Sequence, residues 1–231
     1  VKTDRLGLLI VDEEHRFGVK HKESIRKMKG SVDVLTLTAT PIPRTLQQSL
    51  VGIRDTSKIE TAPQNRLPIK TYINRFDWSD VKNKIKYEIN RGGQVYFIHN
   101  EIESIPFIVD RLSSEFPDVA VSGAHGQMAN GPLEKIVLGF FNKKVDVLVC
   151  TTIVESGLDV KNANTIIINN AQNFGLSQLY QIRGRVGRGN RQAFCYLCIP
   201  RKVKLLPDAY ERLKTMEYYT SLGSGYHVAI K

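Results

Sequence analysis

Short apolar runs alternate with amphipathic stretches along nearly the whole chain, and that alternation narrows the possible architectures more than any other feature. Apolar runs at residues 8–11, 34–37, 95–98, 119–122, 145–150, 165–168 and 193–199 have the length and β-branched content of strands buried on both faces. The intervening segments carry apolar residues at helical spacing. Val81, Ile85, Glu88 and Ile89 share one face after a cap predicted at Ser79, and Gly92-Gly93 ends the helix. Ile105, Ile108, Leu112 and Phe116 form a second stripe, and Pro132 suits the first turn of a helix bearing Leu133, Ile136, Val137 and Phe140. Strand, helix, strand in repetition means an α/β fold around parallel sheets.

The alternation breaks once, at the polar, proline-bearing stretch APQNRLP. We read residues 63–68 as a linker between a first lobe, 1–62, and a second, 69–200. The second lobe holds a full run of strands and crossover helices. The first holds two or three strands, too few to cover both faces of a parallel sheet, so it is expected to be truncated, with its other strands upstream. After Pro200 the chain turns basic, RKVKLL, and then amphipathic, giving a short C-terminal helical segment within 201–231.

Several strand ends carry chemistry. The run LLIVDEEH places Asp12 and Glu13 at the carboxyl edge of a parallel sheet, where open α/β folds bind ligands. In a nucleotide-driven motor Asp12 would hold Mg²⁺ through a water and Glu13 would polarise the attacking water. The alternative is a strand ending in solvated acids. A second strand ends in Thr38-Ala39-Thr40, whose hydroxyls can bond those carboxylates and relay a change there; an ordinary strand exit at Pro41 is the competing reading.

In QLYQIRGRVGR the arginines are interleaved with glycine. Glycine lets backbone approach a ligand, and Arg185 and Arg188, three apart, can project onto one phosphate; a basic surface loop is the alternative. Thr151 and Thr152, followed by Gly157 and Asp159, offer short donors for a nucleic-acid backbone and an acid near an interface. His125 and Gln127 follow another strand and suit similar work, although a lone histidine after a strand is more often a structural residue.

Lys and Arg outnumber Asp and Glu by 33 to 23, a net charge of +10 that favours a polyanionic partner but also fits a merely basic protein. No apolar run approaches the roughly 18 residues of a membrane span and no signal-peptide layout opens the chain, so a cytoplasmic location without membrane contact is expected. Cys195 and Cys198 form a CxxC, but within a strand residues three apart point to opposite faces, and there is no second ligand pair for a metal.

In order and spacing, DEEH, TAT, TTIVESGLDV and QIRGRVGR resemble the motifs of superfamily 2 helicases and translocases. Finer matches, among them DEEHRFGV, LTLTATPIPRTL, GIRD, GGQVYFIHN and FGLSQLYQIRGRVGR, look like the bacterial transcription-repair coupling factor family. RecG-type fork helicases share several of these, and a nucleic-acid-binding module without turnover is a third reading. The resemblance implies two RecA-like lobes and an ATP- and Mg²⁺-dependent motor on double-stranded DNA. It implies partners in RNA polymerase and excision-repair proteins, held through upstream domains. It further implies that His15 and the Thr38–Thr40 segment couple nucleotide to DNA, and that Arg185 and Arg188 are arginine fingers. Gln181 and Asp159 would lie near the nucleotide, Gly157 beside them, while Thr151, Thr152, His125 and Gln127 would touch the DNA backbone. Residues 201–231 would begin the helical hairpin that turns lobe closure into stepping.

Two features depart from that pattern. Ala129-Asn130-Gly131-Pro132 stands where the family runs through charged residues, and the sequence contains no G-x-x-x-x-G-K-[ST] loop. ATP hydrolysis by these residues alone is therefore not expected.

Overall fold

The computed structural model describes residues 6–13, 17–18, 23–24, 32–38, 55, 57, 59, 67–152 and 160–219. The chain divides into two compact units, one of Val1–Ile59 with Gly225–Lys231 and one of Glu60–Ser224.

In the first unit, β1 (Leu8–Asp12) and β2 (Asp33–Leu37) pair in parallel, with Leu9 opposite Val34 and Val11 opposite Thr36. Val11 is buried, yet Leu8, Ile10, Leu35 and Leu37 are all exposed. The expectation of strands buried on both faces thus fails for this pair. Successive side chains point to opposite faces, and the face carrying these four residues is open.

The second unit is built on six parallel strands in the order β3-β8-β7-β4-β6-β5. They are β3 (Lys70–Arg75), β4 (Gln94–Ile98), β5 (Val121–Ala124), β6 (Val147–Cys150), β7 (Ala163–Ile168) and β8 (Phe194–Ile199). The helices are α1 (Trp78–Asn90), α2 (Ile105–Glu115), α3 (Asn130–Phe141), α4 (Leu176–Arg183) and α5 (Pro207–Tyr218). Alternation along the central strands splits the core into two layers. Val95, Phe97, Val147, Val149 and Ile167 pack with Val81 and Ile85 of α1 and Ile105, Ile108 and Leu112 of α2. Their neighbours Tyr96, Ile98, Leu148, Ile166 and Ile168 pack on the other face with Phe140, Leu179, Ile182, Leu213 and Met216 from α3, α4 and α5. Helices on both faces explain why these strands read as continuous apolar runs.

Local chemistry sets the element ends. The cap of α1 is Asp77, not Ser79: its carboxylate accepts from the amides of Ser79 and Asp80 at 2.8 and 3.2 Å. At the other end Gly92 takes φ +74°, and the amides of Gly92 and Gly93 return to the carbonyls of Ile89 and Glu88. Glu88 is fully buried; its carboxylate accepts from Arg91 Nε at 3.1 Å and Thr165 Oγ1 at 2.5 Å. Pro132 falls in the first turn of α3, as its fixed φ favours.

Cys195 and Cys198 sit on opposite faces of β8, one in each core layer. Burial pushes their thiols up to about 12 and about 11, so both stay protonated, and no group of metal-ligating side chains occurs among the described residues.

Candidate functional site

Two strand-end sites emerge, one in each unit. In the first, β1 runs out at Asp12, which is exposed, and Glu13 turns the chain sharply. Glu13 has φ +49°, in the left-handed region that a residue with a Cβ occupies at a cost of roughly 1 kcal/mol or more. Its amide donates to Leu37 O at 2.9 Å, tying the end of β1 to the end of β2, and its carboxylate accepts from Thr38 Oγ1 at 3.1 Å. The hydroxyl-to-carboxylate link expected between the two motifs is present. It is a direct line from a strand-end acid to the neighbouring strand's exit. His15, Ala39 and Thr40 lie outside the described residues.

In the second unit the carboxyl ends of parallel strands place their following residues along one edge. Thr151 leaves β6, and its amide donates to Ala124 O at the end of β5 at 3.3 Å, so the β5 and β6 exits are joined. Thr151 is 5% exposed and its hydroxyl has no hydrogen-bond partner among the described residues; Thr152 is half-buried. Both line a narrow crevice, too tight for a water molecule, with Tyr96, Ile98, Cys150, Ile182 and Arg185. The structure therefore gathers Thr151, Thr152 and Arg185, which come from distant motifs. His125 lies at the exit of β5, half-buried, its Nδ1 shielded and unpartnered among the described residues. Gln127 is exposed in the turn closed by Met128 N to His125 O at 3.1 Å. Gly157 and Asp159 fall outside the described residues.

The arginine-rich motif is half helix and half turn. Gln181 is half-buried on α4, and the helix ends at Gly184. Arg185 N then bonds Ile182 O at 3.2 Å, while Arg188 is exposed with Nε on Gly184 O at 3.3 Å. Gly187 takes φ +71°, and a Cβ there would approach Ala193 Cβ and Ile69 Cγ1 to 3.0 and 3.1 Å. A side chain at this position is excluded by conformation and by space, which is why the turn between the two arginines uses glycine.

Arg183, the first arginine of the motif, has a different task that its spacing with glycine concealed. It is 4% exposed; Nη1 donates to Met216 O at 2.9 Å and Tyr219 O at 2.6 Å, and lies 3.5 Å from Thr71 Oγ1. It thus fastens α4 to the C-terminal end of α5, where unsatisfied carbonyls favour a cation. Burial lowers its pKa, against smaller opposing effects from Cys195 and Tyr180. One signal was available in the sequence: Leu179, Ile182 and Arg183 fall on a single helical face.

A second unforeseen group is His99 at the exit of β4, 4% exposed. Ser104 Oγ donates to Glu101 O at 3.0 Å, which leaves it to accept from His99 Nε2 at 2.6 Å. His99 Nδ1 then accepts from Asn169 Nδ2 at 3.1 Å, and Asn169 Oδ1 is already taken by the Asn170 amide at 3.0 Å. This chain of bonds fits a neutral imidazole and locks the β4 and β7 exits together.

The helicase conserved C-terminal domain matches residues 79–190. Over 229 residues the chain is 52% identical to the transcription-repair-coupling factor of Myxococcus xanthus, covering 99% of this chain and 19% of that protein. Over 226 residues it is 51% identical to that of Bacillus subtilis (strain 168), covering 98% and 19%. Nearly the whole chain thus aligns with proteins named transcription-repair-coupling factor, and it carries a helicase conserved C-terminal domain. It spans about a fifth of the length of these coupling factors, 19% in both. Among solved structures, RecG bound to a three-way DNA junction matches with a TM-score of 0.73 at 33% identity, over 100% of this chain and 30% of that one. Yeast Dbp5 bound to RNA and ADP BeF3, at 14% identity and a TM-score of 0.65 over 94% of this chain and 59% of that one, shares the fold. The α/β architecture of this chain is therefore that of RecG and the C-terminal RecA-like domains of DEAD-box helicases.

Proposed function

We propose that this chain is the nucleotide-responsive and DNA-tracking part of an ATP-dependent double-stranded DNA translocase that displaces stalled RNA polymerase and couples transcription to nucleotide excision repair. The observation that carries this reading is the match to named coupling factors over 98–99% of the chain at about half identity. RNA polymerase and excision-repair proteins are partners of the longer protein through its other domains, and its location is cytoplasmic. The domain limits are 1–62, linker 63–68, 69–200, and the start of a translocation hairpin at 201–231.

Asp12 would hold Mg²⁺ through a water and Glu13 would polarise the attacking water. The bond from Thr38 to Glu13 supports a coupling role for Thr38, Ala39 and Thr40, in which loss or gain of negative charge at the acid reorients the hydroxyl. Arg185 and Arg188 would meet developing charge on the phosphates, and His15, Gly157, Asp159 and Gln181 would lie near the nucleotide. Thr151, Thr152, His125 and Gln127 contact the DNA backbone, Thr152 and Gln127 having the greater exposure.

The residues fit their ligands in a limited way. A strand-end carboxylate suits water-mediated Mg²⁺. The crevice beside Arg185 is too tight to admit a water-sized sphere, so a phosphate there would be met by the arginine at the strand edge and not by a preformed cavity. Bound ATP with Mg²⁺ supplies the free energy of phosphoryl transfer; these residues orient, polarise and transmit. Turnover is assigned to the longer protein, since the 231 residues contain no G-x-x-x-x-G-K-[ST] loop.

The test is a release assay with a full-length coupling factor carrying these residues. RNA polymerase halted by nucleotide omission on duplex DNA is expected to dissociate only with ATP. Failure to release it, together with regression of a model replication fork, would instead favour the RecG-type reading.

A further inference from the structure

The basic stretch after Pro200 forms a turn on the same sheet edge as the strand-end residues described above. Strands β3 and β8 run parallel with Arg75 opposite Ile199, so both finish at the carboxyl edge of the sheet. Arg75 Nη1 donates to Pro200 O at 3.0 Å and Val203 O at 2.7 Å, and Val203 N closes the turn on Pro200 O at 3.2 Å. Held from inside by Arg75, the turn leaves Arg201, Lys202 and Lys204 exposed. Arg201 pairs with Asp77, whereas among the described residues no ion pair gives Lys202 or Lys204 a carboxylate. The turn is therefore a fixed scaffold presenting positive charge, and not a loose basic tail.

Strand order sets its distance from the other edge residues. From β8 to β5 there are four strand intervals, roughly 19 Å at about 4.8 Å each. The turn lies at one end of that line and His125 with Gln127 at the other, with Thr152 between. A duplex presents one phosphate per 3.4 Å of axis on each strand, so a segment of about six nucleotides spans the line.

We propose that the turn formed by residues 200–204 is a second duplex-DNA contact, in which Lys202 and Lys204 engage backbone phosphates about 19 Å from the β5 exit. The proposal rests on the DNA-tracking reading and adds a position to it. Contacts of this kind hold the duplex in place without reading its sequence.

The experiment measures affinity of the 231-residue chain for 30-base-pair duplexes of two unrelated sequences, across a salt series. Three variants are compared with the unaltered chain: Lys202→Gln with Lys204→Gln, Lys86→Gln with Lys135→Gln as an equal change of charge in mid-helix, and Thr152→Val. The turn variant is expected to bind several-fold more weakly to both duplexes and to flatten the slope of log K against log salt by about 1.8, at about 0.9 per phosphate. Binding of a fluorescent ATP analogue by a full-length coupling factor carrying the turn substitutions should not change, which separates backbone phosphate from nucleotide phosphate. An unaltered slope, or an equal loss in the mid-helix variant, overturns the proposal while an effect of Thr152→Val leaves the DNA-tracking reading standing. Absence of duplex binding by both this chain and a full-length coupling factor carrying it overturns both.

Discussion

Within one motif, Arg183, Arg185 and Arg188 look alike in sequence and differ completely in setting. Arg183 is inside, donating to the last carbonyls of α5; Arg185 lines the strand-edge crevice; Arg188 is at the surface. Replacing Arg183 by Ala strips partners from two helix-end carbonyls and empties a buried space, so urea unfolding should show a loss of about 2–4 kcal/mol. Arg183→Lys should recover only part, because one ammonium lacks the guanidinium's planar reach. No loss in either variant would mean the helix-to-helix clasp is not holding α5. Legibility at this scale depended on surroundings: spacing with glycine marked Arg185 and Arg188 but said nothing of what lay beneath Arg183. Glu13 and Thr38 were readable as partners because each ends an adjacent strand, whereas the left-handed turn at Glu13 had no glycine or asparagine to announce it.

Among the elements, the exits of β4 and β7 behave as one unit because His99 and Asn169 bond each other. Burial lowers the His99 pKa from its ordinary 6.5, with Glu101 opposing more weakly. The unfolded chain consequently takes up a proton here more readily than the folded one, so the stabilisation from neutral His99 is complete above the unfolded value and declines as pH falls below it. Unfolding free energy should therefore drop as pH falls below the ordinary histidine value of about 6.5, and His99→Gln should flatten that dependence while lowering the plateau. An unchanged pH profile in the variant would place the titration elsewhere. Elements were legible where burial was two-sided: β4, β6, β7 and β8 are apolar runs because helices cover both faces. By contrast β3 is missing from the apolar runs, since it is the edge strand and its Lys70, Tyr72 and Arg75 are exposed. In α4 the arginines dominate the sequence signal and hide the helical face. For β5 the observed strand starts two residues later than the apolar run suggests, the run's first residues closing the preceding turn at Val119 N to Phe116 O.

For the molecule as a whole, the two sites belong to two separate compact units and differ in chemistry: carboxylates in the first, arginine and threonine side chains in the second. A polypeptide with +10 net charge and an edge of strand exits is suited to holding a polyanion, while an acid bonded to a neighbouring hydroxyl is suited to sensing a nucleotide. This division of labour stands or falls on whether Arg185 and Arg188 act on the nucleotide and not on DNA. Duplex-stimulated ATP hydrolysis, measured alongside DNA affinity, decides it for Arg185→Ala and Arg188→Ala in a full-length coupling factor carrying these residues. The hydrolysis rate should fall by about 10³-fold or more with DNA affinity changed only a few-fold. Retained hydrolysis with weakened DNA binding would instead make the two arginines DNA contacts and refute the assignment.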